Sequence, residues 1–116
     1  MIKFDKAKGV YHANADLMDS IKEIGRDYGL QSGQLMVVAF LGDESTSVNR
    51  LRRDMRGPSN LSYTLRALET RQLVTLTRNE LDGRAKIVTL TKEGLALCAR
   101  LRHHMEEHCS ALESAA

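Results

Sequence analysis

The sequence predicts a mainly α-helical chain that carries one small β-hairpin. Apolar residues recur at helical spacing near both ends of the chain, whereas residues 73–91 change to the two-residue period of strands. Glycine or a helix-capping residue stands at most boundaries between these segments. Because 116 residues is a typical length for one domain, we expect residues 1–116 to form a single domain.

The first predicted helix lies near the N-terminus. Residues 1–12 show no clear period, so we expect an irregular lead-in there. Asn14 or Asp16 can cap a helix that Gly29 then ends. Its apolar positions are spaced four, three and four residues apart and form one stripe, which comprises Leu17, Ile21, Ile24 and Tyr28.

Two shorter helices are predicted next. The second runs from Ser32 to Leu41, and its nearly continuous hydrophobicity predicts burial. Its unbroken apolar run has seven residues, against the roughly 20 that a membrane helix needs, so we expect no membrane segment. Thr46 or Ser47 can cap the third helix. The buried stripe of that helix comprises Val48, Leu51 and Met55.

A tight turn is predicted between the third helix and a fourth. Gly57 suits a left-handed helix end, and Pro58 suits the first turn of the following helix. On a helical wheel, three leucines of the fourth helix cluster on one side, namely Leu61, Leu65 and Leu68. The opposite side is therefore exposed and carries short polar groups, one tyrosine and one arginine.

The strands and a long last helix complete the chain. Val74 and Leu76 alternate with threonines, as do Val88 and Leu90, and the segment between them contains the turn-forming pair Asp82-Gly83. We therefore expect a two-stranded hairpin. Thr91 can cap a helix that extends to about residue 112.

Charge is unevenly distributed along the chain. Arg50 to Lys86 holds nine basic and four acidic residues, a balance of +5, whereas the remainder holds eight basic and eleven acidic residues, a balance of −3. A basic segment of this kind is typical of a surface that meets a polyanion. Eight of the nine cations are arginines, whose planar fork suits phosphates and guanine edges.

The order of elements predicts a winged helix-turn-helix flanked by N- and C-terminal helices. The helix-turn-helix covers about residues 47–71 and the wing about 73–91, within a DNA-binding core of 31–91. The second helix of such a motif presents its N-terminal residues to base edges, which are here Ser59, Asn60, Ser62, Tyr63 and Arg66. The wing tip carries Arg84, which can reach the minor groove. Further candidate contacts to double-stranded DNA are Arg50, Arg53, Arg56 and Lys86.

Residues 65–94 also resemble the MarR family of bacterial transcriptional regulators. The similarity rests on an Asp-x-Arg pair in the wing followed by Leu-Thr-x-x-Gly at the end of the next strand, which match Asp82, Arg84, Leu90, Thr91 and Gly94. The resemblance implies a homodimeric regulator in which Arg84 enters the minor groove and Asp82 orients the wing. The family usually has glycine where this chain has Gln72. It also tends to have two C-terminal helices where this chain has one.

The two ends of the chain are expected to dimerise. Residues 13–30 and 92–113 form heptad-like seams that exceed what the core of a 13.0 kDa chain easily absorbs. The candidate dimerisation residues are Leu17, Ile21, Ile24, Tyr28, Cys98, Leu101, Met105, His108 and Leu112.

The sequence is also compatible with functions other than a DNA-binding repressor. A winged helix can instead hold a protein partner, and His104, His108 and Cys109 could make a metal- or redox-responsive regulator, since histidines four apart on a helix can chelate zinc. We expect no metal site, no cofactor and no enzymatic activity, because no phosphate loop, nucleophile motif or paired carboxylates occur. Two cysteines without paired spacing and the absence of a secretory signal predict a cytoplasmic protein, nucleoid-associated when bound to DNA. A small-molecule effector stays open as a further partner, because the sequence does not identify one.

Overall fold

The computed structural model describes residues 2–56, 60–78 and 86–115, except for the side chains of 2–4 and 110–115. Five helices and three strands lie in these ranges. The helices are α1 (Ile2–Tyr28), α2 (Ser32–Leu41), α3 (Val48–Asp54), α4 (Leu61–Thr70) and α5 (Lys92–Ala115), and the strands are β1 (Thr46–Ser47), β2 (Val74–Arg78) and β3 (Lys86–Leu90). A mainly helical chain with a small antiparallel sheet confirms the predicted fold class.

The chain divides into two compact units. The first comprises Met1–Ser32 with Arg100–Ala116, and the second comprises Gly33–Ala99. No helix in the described ranges is long and apolar enough to cross a membrane.

The second unit is built on a three-stranded antiparallel sheet in the order β1-β3-β2. Val74 pairs with Leu90, and the register continues to Arg78 opposite Lys86. Val74, Val88 and Leu90 are buried. The core of this unit also includes apolar side chains from all four of its helical segments, among them Leu35, Leu51, Leu65, Leu68 and Leu97. Apolar side chains at alternate strand positions and at helical spacing thus converge on one core.

The first unit is helical in its described part. Ile21, Ile24 and Leu101 are each at most 1% exposed. An ion pair joins α1 to α5, with the Arg100 guanidinium donating to the Asp27 carboxylate at 2.8 Å. This hydrogen bond raises the pKa of Arg100 above its ordinary value. Both side chains are largely exposed, so the pair contributes little to stability.

The expected lead-in over residues 1–12 is wrong, because α1 already begins at Ile2. Residues 5–12 are exposed apart from the half-buried Gly9, and Ala13 is the first buried side chain of α1 among those described. An exposed helical segment needs no apolar stripe, so the missing period did not exclude a helix. The predicted helix end at Gly29 is confirmed, since this residue has a left-handed φ angle of 66°. Gly42, which follows α2, likewise has a left-handed φ angle of 67°.

Strand β1 is not anticipated by the sequence. It has two residues, with Thr46 opposite Val88 and Ser47 opposite Ile87. The hydroxyls of Ser45 and Thr89 also hydrogen-bond at 2.7 Å. Two residues are too few to show a two-residue period, so only the pairing with β3 reveals this strand.

Candidate nucleic-acid interface

Helix α3 is fixed at its start by a side-chain cap. The Ser47 hydroxyl accepts a hydrogen bond from the backbone N–H of Arg50 at 3.1 Å, which confirms one of the two predicted caps. Leu51 is buried, whereas Val48 and Met55 are half-buried. Arg50, Arg53 and Arg56 are all exposed, as a role in phosphate binding requires.

Arg56 follows α3 with an unusual backbone. Its φ angle of 54° lies in the left-handed region, where a residue with a Cβ is disfavoured. The Arg56 N–H donates to the carbonyl of Arg53 at 3.1 Å, so the chain leaves α3 in a tight turn. Gly57, Pro58 and Ser59 lie outside the described residues.

Helix α4 presents two chemically distinct faces. Leu61, Leu65 and Leu68 are at most 1% exposed, which confirms the predicted inward stripe. The outward face carries four residues that are predicted to contact base edges, and all four are exposed: Asn60, Ser62, Tyr63 and Arg66. Tyr63 is 75% exposed, the largest value among the exposed large apolar side chains described, so burial does not explain its position. Asn60 stands at the N-cap, but its side chain makes no capping hydrogen bond.

Arg52 links the two helices of the helix-turn-helix. Its guanidinium donates to the Asn49 side chain at 3.2 Å and to the Ser62 hydroxyl at 3.5 Å. The sequence placed Arg52 on the basic segment without a specific role. The contact with Ser62 spans ten residues and joins two different helices, so no helical spacing could have indicated it.

An open groove of about 290 Å³ lies between α4 and the strands of the wing. It is lined by Arg66, Glu69, Leu76, Thr77, Arg78 and Lys86. Arg66 and Lys86 were expected to contact DNA, and the structure brings them to one groove. Arg78, absent from the predicted contacts, joins them there. Asp82 and Arg84 lie outside the described residues.

A network of backbone contacts anchors the start of α5 to the corner before β2. The Thr91 hydroxyl donates to the Gln72 carbonyl at 2.6 Å and accepts from the Gly94 N–H at 3.1 Å, and the Thr91 N–H donates to the Leu73 carbonyl at 3.0 Å. The predicted cap at Thr91 is confirmed. A Cβ built on Gly94 would stand 2.1 Å from the Leu73 carbonyl oxygen, so this position excludes every side chain. These contacts give the Leu-Thr-x-x-Gly pattern a structural reason.

The candidate dimerisation residues divide by burial. Ile21, Ile24, Cys98 and Leu101 are at most 3% exposed in the single chain. The half-buried members are Leu17, Tyr28, Met105 and His108. The side chain of Leu112 lies outside the described residues. Among the described candidates, surface for a partner therefore remains on the half-buried members.

The histidines of α5 pair locally. The His103 imidazole lies 3.0 Å from the Glu107 carboxylate, and Nδ1 of His108 lies 2.8 Å from the carbonyl oxygen of His104. No group of three potential metal ligands occurs within the described ranges. Cys98 is buried, with its sulfur 4.0 Å from the Ala39 carbonyl oxygen, whereas Cys109 is exposed.

Solved structures of regulators share this architecture. The complex of Staphylococcus aureus MepR with DNA matches with a TM-score of 0.74 and 18% identity over 89% of this chain and 78% of that one. NadR in complex with 4-hydroxyphenylacetate matches with a TM-score of 0.72 and 22% identity over 91% and 77% of the two chains. A MarR-like transcription regulator from Bacillus cereus matches with a TM-score of 0.69 and 21% identity over 90% and 75%.

The sequence comparisons found no match. No protein-family model matches the chain, and no curated protein matches it significantly. The structural matches define the fold class plainly: this chain has the winged helix-turn-helix fold found in MarR-type regulators. In this fold α3 and α4 form the helix-turn-helix, and β2 and β3 form the stem of the wing.

Proposed function

We propose that this protein is a sequence-specific DNA-binding transcriptional regulator of the MarR type, acting as a repressor. The observation that carries the proposal is the outward face of α4, where Asn60, Tyr63 and Arg66 are exposed beside a basic groove. Their neighbours on the inward face are buried leucines, so the helix is held firmly while its polar face stays free for a ligand. The fold shared with the DNA complex of MepR supports the same reading.

In this proposal α4 enters the major groove with its N-terminal half. Asn60 can make paired hydrogen bonds to adenine, and Arg66 can make them to guanine. Arg50 and Arg53 on α3 bind phosphates and set the register of the protein on the duplex. The contact from Arg52 to Ser62 joins α3 to α4 at the proposed interface, beside the base and phosphate contacts.

The active form is proposed to be a homodimer. On α1, Val10 and Tyr11 are 41% and 68% exposed, which leaves apolar surface near one end of the chain. A second copy would cover such surface and place two α4 helices on the same side of the duplex. The operator is then pseudo-palindromic, with half-sites about one helical turn or ~34 Å apart. Binding to chromosomal DNA makes the cytoplasm the proposed site of action.

Selection of bound duplexes from a random DNA pool tests the function directly. We expect enrichment of one inverted-repeat sequence, and mobility shifts with the selected duplex should correspond to two chains per site. Affinity should fall steeply between about 50 and 200 mM salt, since phosphate contacts release counterions. A scrambled duplex of equal length is the control. Recovery of no sequence above the starting pool, with no shift at low salt, contradicts the proposal.

A further inference from the structure

Strands β2 and β3 form a two-stranded ribbon, and one face of this ribbon changes from apolar to cationic side chains along its length. Side chains alternate between the two faces of a strand, so Val74, Leu76 and Arg78 share one face of β2. On β3 the same alternation places Lys86 with Val88 and Leu90. Val74, Val88 and Leu90 are buried, whereas Arg78 and Lys86 are exposed. The face that forms core near the corner therefore ends in two cations near the wing tip.

These two cations stand directly opposite each other. Arg78 and Lys86 are partners in the antiparallel register, and like charges in such a position repel. No carboxylate in the described ranges lies within ion-pair distance of either one. Among the described residues, the strand ends thus concentrate positive charge at a position that suits an anion.

A third cation approaches from α4. Arg66 lines the same groove as Arg78 and Lys86, and it belongs to the helix face that the proposed function places in the major groove. The described lining contains one acid, Glu69, three residues further along α4. Three cations therefore face one open groove between the recognition helix and the wing.

We infer that this groove binds the phosphodiester backbone of DNA, with Arg78 as a phosphate contact that completes the site. The inference rests on the proposed function. In a duplex, one sugar-phosphate strand separates each major groove from the adjacent minor groove. A protein that places a helix in the first and a wing tip in the second must hold that strand between them. Arg78 and Lys86 border that position from the strands, and Arg66 borders it from α4 while its guanidinium reaches a base edge. A phosphate there lies between the two opposed cations of the strand ends.

The test compares the parent with Arg78→Gln on the selected duplex and on a random-sequence duplex. The slope of log affinity against log salt should become shallower by about 0.9, the value for one phosphate. Affinity for both duplexes should fall roughly tenfold at 0.1 M salt, because a phosphate contact carries no sequence information. The thermal midpoint should stay equal or rise by about 1 to 4 °C as the repulsion is removed. Lys92→Gln removes the same charge from an exposed position at the start of α5 and should leave the slope unchanged.

Two further measurements locate the contact. In the first measurement, neutral methylphosphonates replace the phosphates of the selected duplex one at a time. At one position per half-site, this replacement should lower the affinity of the parent but cause no further loss of affinity in Arg78→Gln. Glu69→Gln should strengthen binding about twofold at low salt, because a carboxylate near the bound phosphate is removed.

The outcomes separate this inference from the proposed function. A parent that binds no DNA contradicts the proposed function. A parent that binds with a steep salt dependence, together with an Arg78→Gln variant of equal slope and affinity, overturns the inference alone. A lower thermal midpoint with an unchanged slope also overturns it, because Arg78 would then act through the fold.

Discussion

The two ends of the β2–β3 ribbon differ in burial and charge. At the corner end, Val74 and Leu90 are buried, and Thr91 holds both the Gln72 carbonyl and the start of α5. At the wing end, Arg78 and Lys86 are exposed and opposed, and no carboxylate in the described ranges pairs with them. The corner is held by contacts within the chain, whereas the described wing end presents two opposed cations that we propose meet an anion. Under this proposal stability and recognition belong to different ends of the same two strands, and substitutions should separate the two effects.

The largest effect is expected at the corner. Gly94→Ala should lower the free energy of unfolding by about 3 kcal/mol, because its Cβ would meet the Leu73 carbonyl oxygen at 2.1 Å and Leu90 at 3.0 Å. Urea unfolding should show a lower midpoint with an unchanged slope. Gly33→Ala is the matched control, since a Cβ there meets nothing within 4 Å and alanine favours a helix. Equal stability of Gly94→Ala and the parent would mean that the corner is not closely packed.

An intermediate effect is expected on the recognition side. Arg66→Ala should weaken binding to the selected duplex by about 1 to 3 kcal/mol, because it removes a paired contact to a base edge. Its unfolding midpoint should stay close to that of the parent, since Arg66 is exposed. Arg66→Lys keeps the charge but not the planar fork, so it should lose discrimination between operator variants while retaining non-specific affinity.

Arg84→Ala tests the wing tip by the same binding measurement. We expect a loss of about 1 to 3 kcal/mol there as well. Unchanged affinity in both alanine variants would contradict the assignment of α4 and the wing to DNA recognition.

The smallest effect is expected at Gln72. Its φ angle of 62° places a residue with a Cβ in the left-handed region, where glycine is favoured. Gln72→Gly should raise the free energy of unfolding by about 0.5 kcal/mol. Glycine removes the strain of the left-handed φ angle, but it loses more backbone conformational entropy on folding, and this loss cancels part of the gain. Gln72→Ala keeps the Cβ and should show no gain. A loss of stability in the glycine variant would refute strain at this corner.

Much of the fold could be predicted from local signals. The inward leucines of α4, the caps at Ser47 and Thr91 and the strands around Val74 and Val88 all follow from periodicity or hydrogen-bonding chemistry within a few residues. The first turns of α1 were missed because exposed helical residues carry no stripe. Strand β1 was missed because its only signal is its partner on β3.

The part of the candidate site that lies on one helix could also be predicted from local periodicity. Asn60, Tyr63 and Arg66 share a helix, so the helical wheel places them on one outward face. Arg78 and Lys86 belong to different strands, and a register cannot be read from the two segments separately. The Arg52 contact with Ser62 likewise depends on how α3 and α4 cross.

Local signals in the sequence account for the order and type of most elements, the exposed polar face of α4 and the concentration of positive charge between residues 50 and 86. These features follow from backbone periodicity and composition, which act over a few residues. Tertiary packing brings Arg66, Arg78 and Lys86 to one groove and places Gly94 against the Leu73 carbonyl. Such contacts join residues distant in the chain, and they form only when the core fixes the register of the strands and the position of α4 beside them.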